Sequence, residues 1–233
     1  TIQLGLLTSE IPDIPVFDIS GLCVPARKYA GDYIDFITHN EDSLDVVIAD
    51  VSGHNIGAAL NMAQTRTLIQ ASMGQKSTPA DLMYNLNEFF YDDLTQTELF
   101  ISMFYLSIEH GSGIVTYANA GHNLPLLYRA ASGSIECLDA EGLILGVKKG
   151  VSFDENSARM QRGDILLLYT DGITEAERTD GEFFGEERLR DILMSSARMN
   201  SSEIVDHLLE QARIFTGSHN FKDDISIVII KSG

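Results

Sequence analysis

Four aspartates stand where short apolar runs meet turns. They are Asp32 in AGDYIDF, Asp50 in VVIADVSGH, Asp171 in ILLLYTDG and Asp223 in KDDISIVII. Carboxylate oxygens are the ligands that Mg²⁺ and Mn²⁺ prefer over sulfur or imidazole. Short side chains fixed at strand ends also lose little rotamer freedom. The four aspartates therefore predict a binding site for hard divalent cations.

Each aspartate also has an ordinary structural explanation. Asp50 precedes a helical pattern and could be a helix cap. Asp171 and Gly172 form a common strand-ending turn, and Asp223 with Asp224 could be a charged strand edge that discourages aggregation. Their joint occurrence at the ends of separate predicted strands is what favours a metal site.

The elements that must position these residues follow from hydrophobic periodicity. Nine apolar runs predict strands at 16–26, 31–38, 44–51, 99–108, 113–119, 124–129, 152–159, 164–170 and 224–231. Apolar residues at three-to-four spacing predict helices at 56–74, 79–94, 185–196 and 201–215. This order predicts an α+β fold with two packed antiparallel β-sheets flanked by helix pairs, an α-β-β-α sandwich, in one domain over residues 1–233.

Composition excludes several classes of partner. The 233 residues carry a formal net charge of −18, and nucleic acid or an anionic lipid surface would require basic patches instead. No apolar run approaches the ~20 residues that span a bilayer, so we expect a cytoplasmic protein without membrane insertion. Cys23 and Cys137 belong to no metal or redox motif, and we expect both to be small buried residues.

Eight segments, in order, resemble the PPM-type (type 2C) metal-dependent serine/threonine phosphatases. The resemblance is to the bacterial branch of the sporulation stage II protein E and sigma-factor-regulator phosphatases. The segments are PARKYAGDYIDF (25–36), VVIADVSGHNIGAAL (46–60), ELFISMFYL (98–106), YANAGHNLPLLY (117–128), GLILGV (142–147), RGDILLLYTDGITEA (162–176), EFFGEERL (182–189) and DDISIVII (223–230). They cover essentially the whole chain, and the resemblance implies the predicted sandwich.

The resemblance also implies roles for single residues. Asp50 would bridge two Mn²⁺ or Mg²⁺ ions, and the backbone carbonyl of Val51 would be a further ligand. Asp171 and Asp223 would complete one metal. Asp32 matches the family's acidic residue that holds metal-bound waters. The chain departs from the family pattern at Ala30 and at Asn55, where a glycine is common, but neither change removes a ligand.

The implied chemistry fits these residue types. Two cations can activate one water and neutralise the charge of a phosphoryl group during in-line attack, so no protein nucleophile is needed. We therefore expect direct hydrolysis without a phosphoenzyme. His54 follows Asp50 by four residues, whereas the eukaryotic enzymes carry a histidine two residues after the bridging aspartate, so no catalytic role transfers to it. His122, in a predicted hairpin, is interpreted as structural. Asp224 stays a supporting candidate.

The expected partner is a phosphorylated regulatory protein, and the branch implies a STAS-type anti-sigma-factor antagonist. The abrupt start at Thr1 suggests a domain cut from a longer chain with an upstream sensor or receiver domain. A homodimer is left open. Two alternatives share these motifs: a catalytically weak binding module that sequesters a regulator, and a metal phosphoesterase that acts on small molecules.

Overall fold

The computed structural model describes residues 11–27, 29–40, 42–53, 56–72 and 77–233. Among these residues the chain divides into two compact units. The first contains residues 29–122 and 139–159, and the second contains residues 11–28, 123–138 and 160–233. Each unit has one five-stranded antiparallel sheet and its own helices. The predicted α+β class with two antiparallel sheets and helix pairs is confirmed.

The described strands are, in chain order, β1 (Phe17–Val24), β2 (Asp32–Asn40), β3 (Ser43–Val51), β4 (Ile101–Glu109), β5 (Ile114–Ala120), β6 (Leu126–Arg129), β7 (Ser134–Cys137), β8 (Asn156–Arg159), β9 (Ile165–Tyr169) and β10 (Ile225–Ser232). The described helices are α1 (Ile56–Ser72), α2 (Pro79–Thr97), α3 (Asp171–Thr174), α4 (Gly185–Ser195) and α5 (Ser201–Thr216). The first unit has the strand order β2-β3-β4-β5-β8, and the second has β1-β10-β9-β6-β7.

Apolar sequence explains which strands are central. In β3 every residue from Leu44 to Ala49 is buried, and β9 is buried throughout. Continuous burial is typical of a strand whose two faces are both covered. In the first unit one sheet face packs on α1 and α2, with Val47 of β3 among the buried residues of this core. In the second unit the sheet packs on α4 and α5. Because β3, β9 and β10 are interior strands, the residues at their ends are firmly held.

Local signals fix the ends of the long helices. Thr78 caps α2 with a capping box to Asp81, and Pro79 occupies the first turn. Asn200 caps α5 by accepting from the backbone N–H of Glu203 at 2.9 Å. That helix ends at Gly217, which has a positive φ of 68°. These caps place both helices within three residues of their predicted bounds at each end.

Two sequence expectations are wrong, and two elements were missed. The polar edge strand β7 and the one-turn helix α3 were not predicted. The segment around His122 is not a hairpin turn, because β5 and β6 pair into different sheets. Neither cysteine is fully buried as expected: Cys23 is half-buried, and Cys137 is exposed on β7. Arg190 donates to the sulfur of Cys137 at 2.7 Å, so this thiol lies beside a cation.

Across the described part of the chain, none of the helices combines the length and the apolar character needed to cross a membrane.

Candidate active site

The first unit brings two of the predicted site residues together. Asp32 begins β2, and Asp50 lies near the end of β3, directly opposite Asp32 in the antiparallel register. Directly opposite residues project from the same sheet face, with Cβ atoms about 4.5–5.5 Å apart. Asp32 is buried and Asp50 is half-buried. Two carboxylates this close repel each other, which a cation between or beside them would relieve.

Gly31 allows the backbone after Asp50 to approach this pair. A Cβ atom on Gly31 would lie 2.5 Å from the carbonyl oxygen of Val51 and 3.2 Å from Oδ1 of Asp50. The amide of Val51 in turn donates to the carbonyl of Gly31 at 3.2 Å. The Val51 carbonyl, a predicted ligand, therefore lies beside the aspartate pair in a space that only glycine leaves open.

The loop after Asp50 is tied to the next strand. Ser52 donates its amide to the carbonyl of Phe100 at 2.9 Å, and its hydroxyl accepts from the amide of Phe100 at 2.9 Å. Phe100 directly precedes β4. These two bonds fix the exit of β3, and they hold the Val51 carbonyl at the end of the sheet.

The second unit holds the other predicted ligands. Asp171 begins α3 directly after β9, and Asp223 lies two residues before β10. Thr170 and Ser226 join the two strand ends, because the Thr170 amide donates to the Ser226 carbonyl at 3.1 Å and the Ser226 amide donates to the Thr170 hydroxyl at 2.9 Å. A Cβ atom on Gly172 would lie only 1.9 Å from the carbonyl oxygen of Asp224.

The carboxyl group of Asp171 has a pKa raised above its ordinary value. Burial is the largest cause, and the charges of Glu175 and then Asp223 add to it. Both causes penalise the ionised form, and a bound divalent cation would reverse that penalty. Glu175 was not predicted as a neighbour of Asp171, because the two come together through the one-turn helix α3, which was itself not predicted.

Asp223 and Asp224 have different roles despite being neighbours. Asp224 is 2% exposed, and its Oδ1 accepts from the amide of Ala26 at 2.7 Å. Its own amide donates to Oδ1 of Asp223 at 2.8 Å. Asp223 stays half-buried. Asp224 therefore anchors the segment after β1, and Asp223 is the better candidate for a ligand.

The donor set fits Mn²⁺ or Mg²⁺. The candidate ligands are all oxygens, and a glycine beside each pair of acids leaves room for a neighbouring backbone carbonyl. No three His, Cys, Asp or Glu side chains form a metal-holding group among the residues that the structure describes. Because Asp32 and Asp50 belong to the first unit and Asp171 and Asp223 to the second, their joint action on one pair of cations stays a prediction.

Of the two histidines considered in the sequence analysis, His54 and His122, the structure describes only His122. His54 lies outside the described residues. His122 is 6% exposed, and its Nδ1 lies 2.8 Å from the hydroxyl of Ser102 on β4. Asn119 fixes the backbone of His122, accepting from its amide at 2.7 Å and donating to its carbonyl at 3.1 Å. Ser102 was not noticed in the sequence.

Curated relatives have similar sequences over nearly the whole chain. The phosphoserine phosphatase RsbU of Bacillus subtilis is 27% identical over 230 residues, which are 99% of this chain and 68% of that protein. Protein IcfG of Synechocystis sp. and the phosphoserine phosphatase RsbP of Bacillus subtilis each match 98% of this chain. The chain spans 40% of the length of IcfG and 55% of the length of RsbP. Part of each relative therefore has no counterpart in this chain.

Solved structures show the same fold. The SiaA-PP2C domain of Pseudomonas aeruginosa has a TM-score of 0.82 at 18% identity, covering 93% of this chain and 86% of that one. RsbX, solved in complex with magnesium, has a TM-score of 0.71 at 15% identity, covering 96% of this chain and 99% of that one.

The family described as Stage II sporulation protein E (SpoIIE) matches residues 40–232. This match covers β3 with Asp50, α3 with Asp171, and the Asp223 segment before β10. The chain therefore belongs to the SpoIIE family, in the branch of PPM-type phosphatases that its sequence motifs predicted.

Proposed function

We propose that this chain is a metal-dependent protein phosphatase that hydrolyses phosphoserine or phosphothreonine on a regulatory partner protein. The observation that carries the proposal is the presence of two pairs of closely held carboxylates, Asp32 with Asp50 and Asp171 with Asp223, in a chain of the SpoIIE family. A binding module without catalysis would have no need for this accumulation of acidic groups at strand ends.

The residues that would hold the cations are Asp50, Asp171, Asp223 and the carbonyl of Val51. Asp32 would orient their waters from its buried position opposite Asp50. When bound, Mn²⁺ or Mg²⁺ lowers the pKa of a water molecule and neutralises the charge on the phosphoryl group. That RsbX binds magnesium and has the same fold supports this choice of ion.

The chain itself contributes position and charge. Gly31 and Gly172 let a backbone carbonyl approach each acid pair, and the strand-end hydrogen bonds of Ser52 and Thr170 keep the pairs fixed. Fixed carboxylates need no reorganisation when the substrate phosphate arrives, which is the main advantage of a preorganised site.

Hydrolysis of p-nitrophenyl phosphate with and without Mn²⁺ tests the phosphatase activity. We expect Mn²⁺-dependent turnover, and we expect Asp50→Ala and Asp171→Ala each to abolish most of it. Asp206→Ala, which removes an exposed carboxylate from α5, is the matched control and should retain full activity. Turnover by Asp50→Ala at the rate of the control would contradict the assignment.

For the substrate, we propose a phosphorylated STAS-type anti-sigma-factor antagonist, as the motif resemblance implies. The similarity to RsbU, a phosphoserine phosphatase, over 99% of this chain supports a phosphoserine substrate. Release of phosphate from a phosphorylated STAS protein should exceed release from a phosphoserine peptide of the same local sequence. Equal rates on both, or a preference for a small phosphomonoester, would favour the small-molecule phosphoesterase.

A further inference from the structure

A row of polar side chains crosses the sheet of the first unit beside the candidate site. Asp32 on β2 lies opposite Asp50 on β3, and Asp50 lies opposite Ser102 on β4. Since directly opposite residues share a sheet face, the three side chains lie side by side on three adjacent strands. Asp50 therefore has a second carboxylate on one side and a hydroxyl group on the other.

His122 extends this row beyond Ser102. Its Nδ1 is 2.8 Å from the Ser102 hydroxyl, and the ring is almost completely buried. Asn119 is two positions along the sheet from Ser102, because it pairs with Phe104, and its amide group clamps the backbone of His122 at both the N–H and the C=O. The imidazole is thus held in one place against Ser102.

The contact between Ser102 and His122 has two possible hydrogen-bond directions. A serine hydroxyl has one hydrogen, and a neutral imidazole has a proton on only one nitrogen. If Ser102 donates to Nδ1, only its lone pairs remain for the neighbouring carboxylate of Asp50, and they repel it. If Nδ1–H donates to Ser102, the hydroxyl hydrogen is available to Asp50.

We propose that His122 carries its proton on Nδ1 and donates to Ser102, which donates its hydroxyl hydrogen to the carboxylate of Asp50. Ser102 and His122 are then positioning residues: they hold one oxygen of Asp50 against the repulsion of Asp32 and would leave the remaining lone pairs of the carboxylate for the cations. This inference rests on the proposed function, because it concerns Asp50 as a metal ligand.

The first test measures Mn²⁺ binding by titration calorimetry on the 233-residue chain. Loss of an outer hydrogen-bond partner of a metal ligand typically weakens metal binding by about 10–100-fold, so Ser102→Ala should raise the Kd by about that factor. Ser102→Thr keeps the hydroxyl on a strand, where threonine is favoured, and should stay close to wild type.

Asn87→Ala is the control for a merely structural effect. Asn87 is also buried in the first unit, and it makes two hydrogen bonds, to the carbonyl of Lys148 at 2.9 Å and from the amide of Gly146 at 3.0 Å. Its loss should lower the melting temperature and leave the Kd for Mn²⁺ unchanged. If Asn87→Ala weakens Mn²⁺ binding as much as Ser102→Ala does, the inference is overturned.

The second test observes the tautomer directly. Nitrogen NMR of the metal-free protein labelled at histidine should show His122 protonated at Nδ1, and the Nε2–H tautomer in the wild type would overturn the inference. The two proposals fail separately. A wild type that neither binds Mn²⁺ nor hydrolyses p-nitrophenyl phosphate refutes the phosphatase function. A wild type that does both, with a Ser102→Ala variant that binds Mn²⁺ equally well, refutes only the positioning role.

Discussion

Replacement of Gly172 by alanine is the sharpest test of how the second unit holds its acids. The added Cβ atom would lie 1.9 Å from the carbonyl oxygen of Asp224 and 2.9 Å from its carbonyl carbon, whereas Cβ atoms essentially never approach closer than 3.0 Å. The segment of Asp223 and Asp224 and helix α3 must therefore move apart by about 1.1 Å, the difference between 3.0 Å and 1.9 Å. The third neighbour, Cγ1 of Ile225, would lie at an ordinary contact distance of 3.4 Å. The two atoms that lie too close are backbone atoms, so no side-chain rotation can relieve the contact.

The expected cost has two parts. Overpacking of a close contact destabilises a fold by about 1–3 kcal/mol. For a chain of this length each kcal/mol lowers Tm by about 2–4 °C, so Tm should fall by roughly 2–12 °C. A displacement of about 1 Å between Asp171 and Asp223 would also separate two residues that we propose as ligands of one cation, and misplacement on this scale costs about 100-fold in rate.

The assay compares Gly172→Ala with Gly111→Ala. Gly111 has no atom within 4 Å of its would-be Cβ, so its replacement should change stability by less than about 0.5 kcal/mol. Thermal unfolding without metal and Mn²⁺-dependent hydrolysis of p-nitrophenyl phosphate are measured for both variants. If the two variants have the same Tm and hydrolyse p-nitrophenyl phosphate at the same rate, the close approach of Gly172 to Asp224 does not matter to the site, and the reasoning fails.

Two further predictions concern buried charge. Since the pKa of Asp171 is raised, the wild type loses stability as pH rises through that pKa. Metal-free Asp171→Asn should therefore melt above the wild type at neutral pH, and the difference should vanish below the ordinary aspartate pKa of about 3.9. Added Mn²⁺ should reverse this difference, so that the wild type melts above Asp171→Asn. Thermal scans at several pH values measure both effects. If the metal-free wild type melts no lower than Asp171→Asn at neutral pH, burial of this carboxylate carries no penalty. Tyr105→Phe removes the hydroxyl that donates to buried Asp45, and urea unfolding should show a loss of about 1–3 kcal/mol. Tyr84→Phe, at an exposed tyrosine on α2, should change stability little, and equal effects at both positions would contradict this reasoning.

Much of the fold could be predicted because hydrophobic periodicity is a local property. The helices at 56–72 and 185–195 and the strands around Asp50 and Asp171 follow from spacing that is visible in the sequence. Strand β7 could not be predicted, because SIEC is short, polar and at a sheet edge, where only pairing with β6 makes it a strand. The burial of Cys137 was mispredicted for the same reason, since cysteine on such an edge faces solvent.

The geometry of the site depends on register, which local sequence does not specify. A slip of one residue between β2 and β3 would turn Asp32 to the opposite sheet face from Asp50. Local sequence alone likewise does not distinguish Asp223 from Asp224. The motif resemblance favoured Asp223 as a ligand, and the structure adds that the amide of Ala26 donates to the carboxylate of Asp224. The position of Ser102 beside Asp50 could not be predicted, because it depends on the pairing of β3 with β4.

The two acid pairs share one arrangement that bears on the choice between an enzyme and a binding module. In each pair a glycine adjoins an aspartate, Gly31 before Asp32 and Gly172 after Asp171, and a backbone carbonyl occupies the place of the missing side chain. Glycine loses more conformational freedom on folding than alanine does, and like charges placed directly opposite each other destabilise a sheet. A fold that only sequestered a partner would have no use for the repulsion between these carboxylates. Their joint presence at both acid pairs is what a cation site would require, because a cation would offset the repulsion, and it supports the proposed catalysis over sequestration.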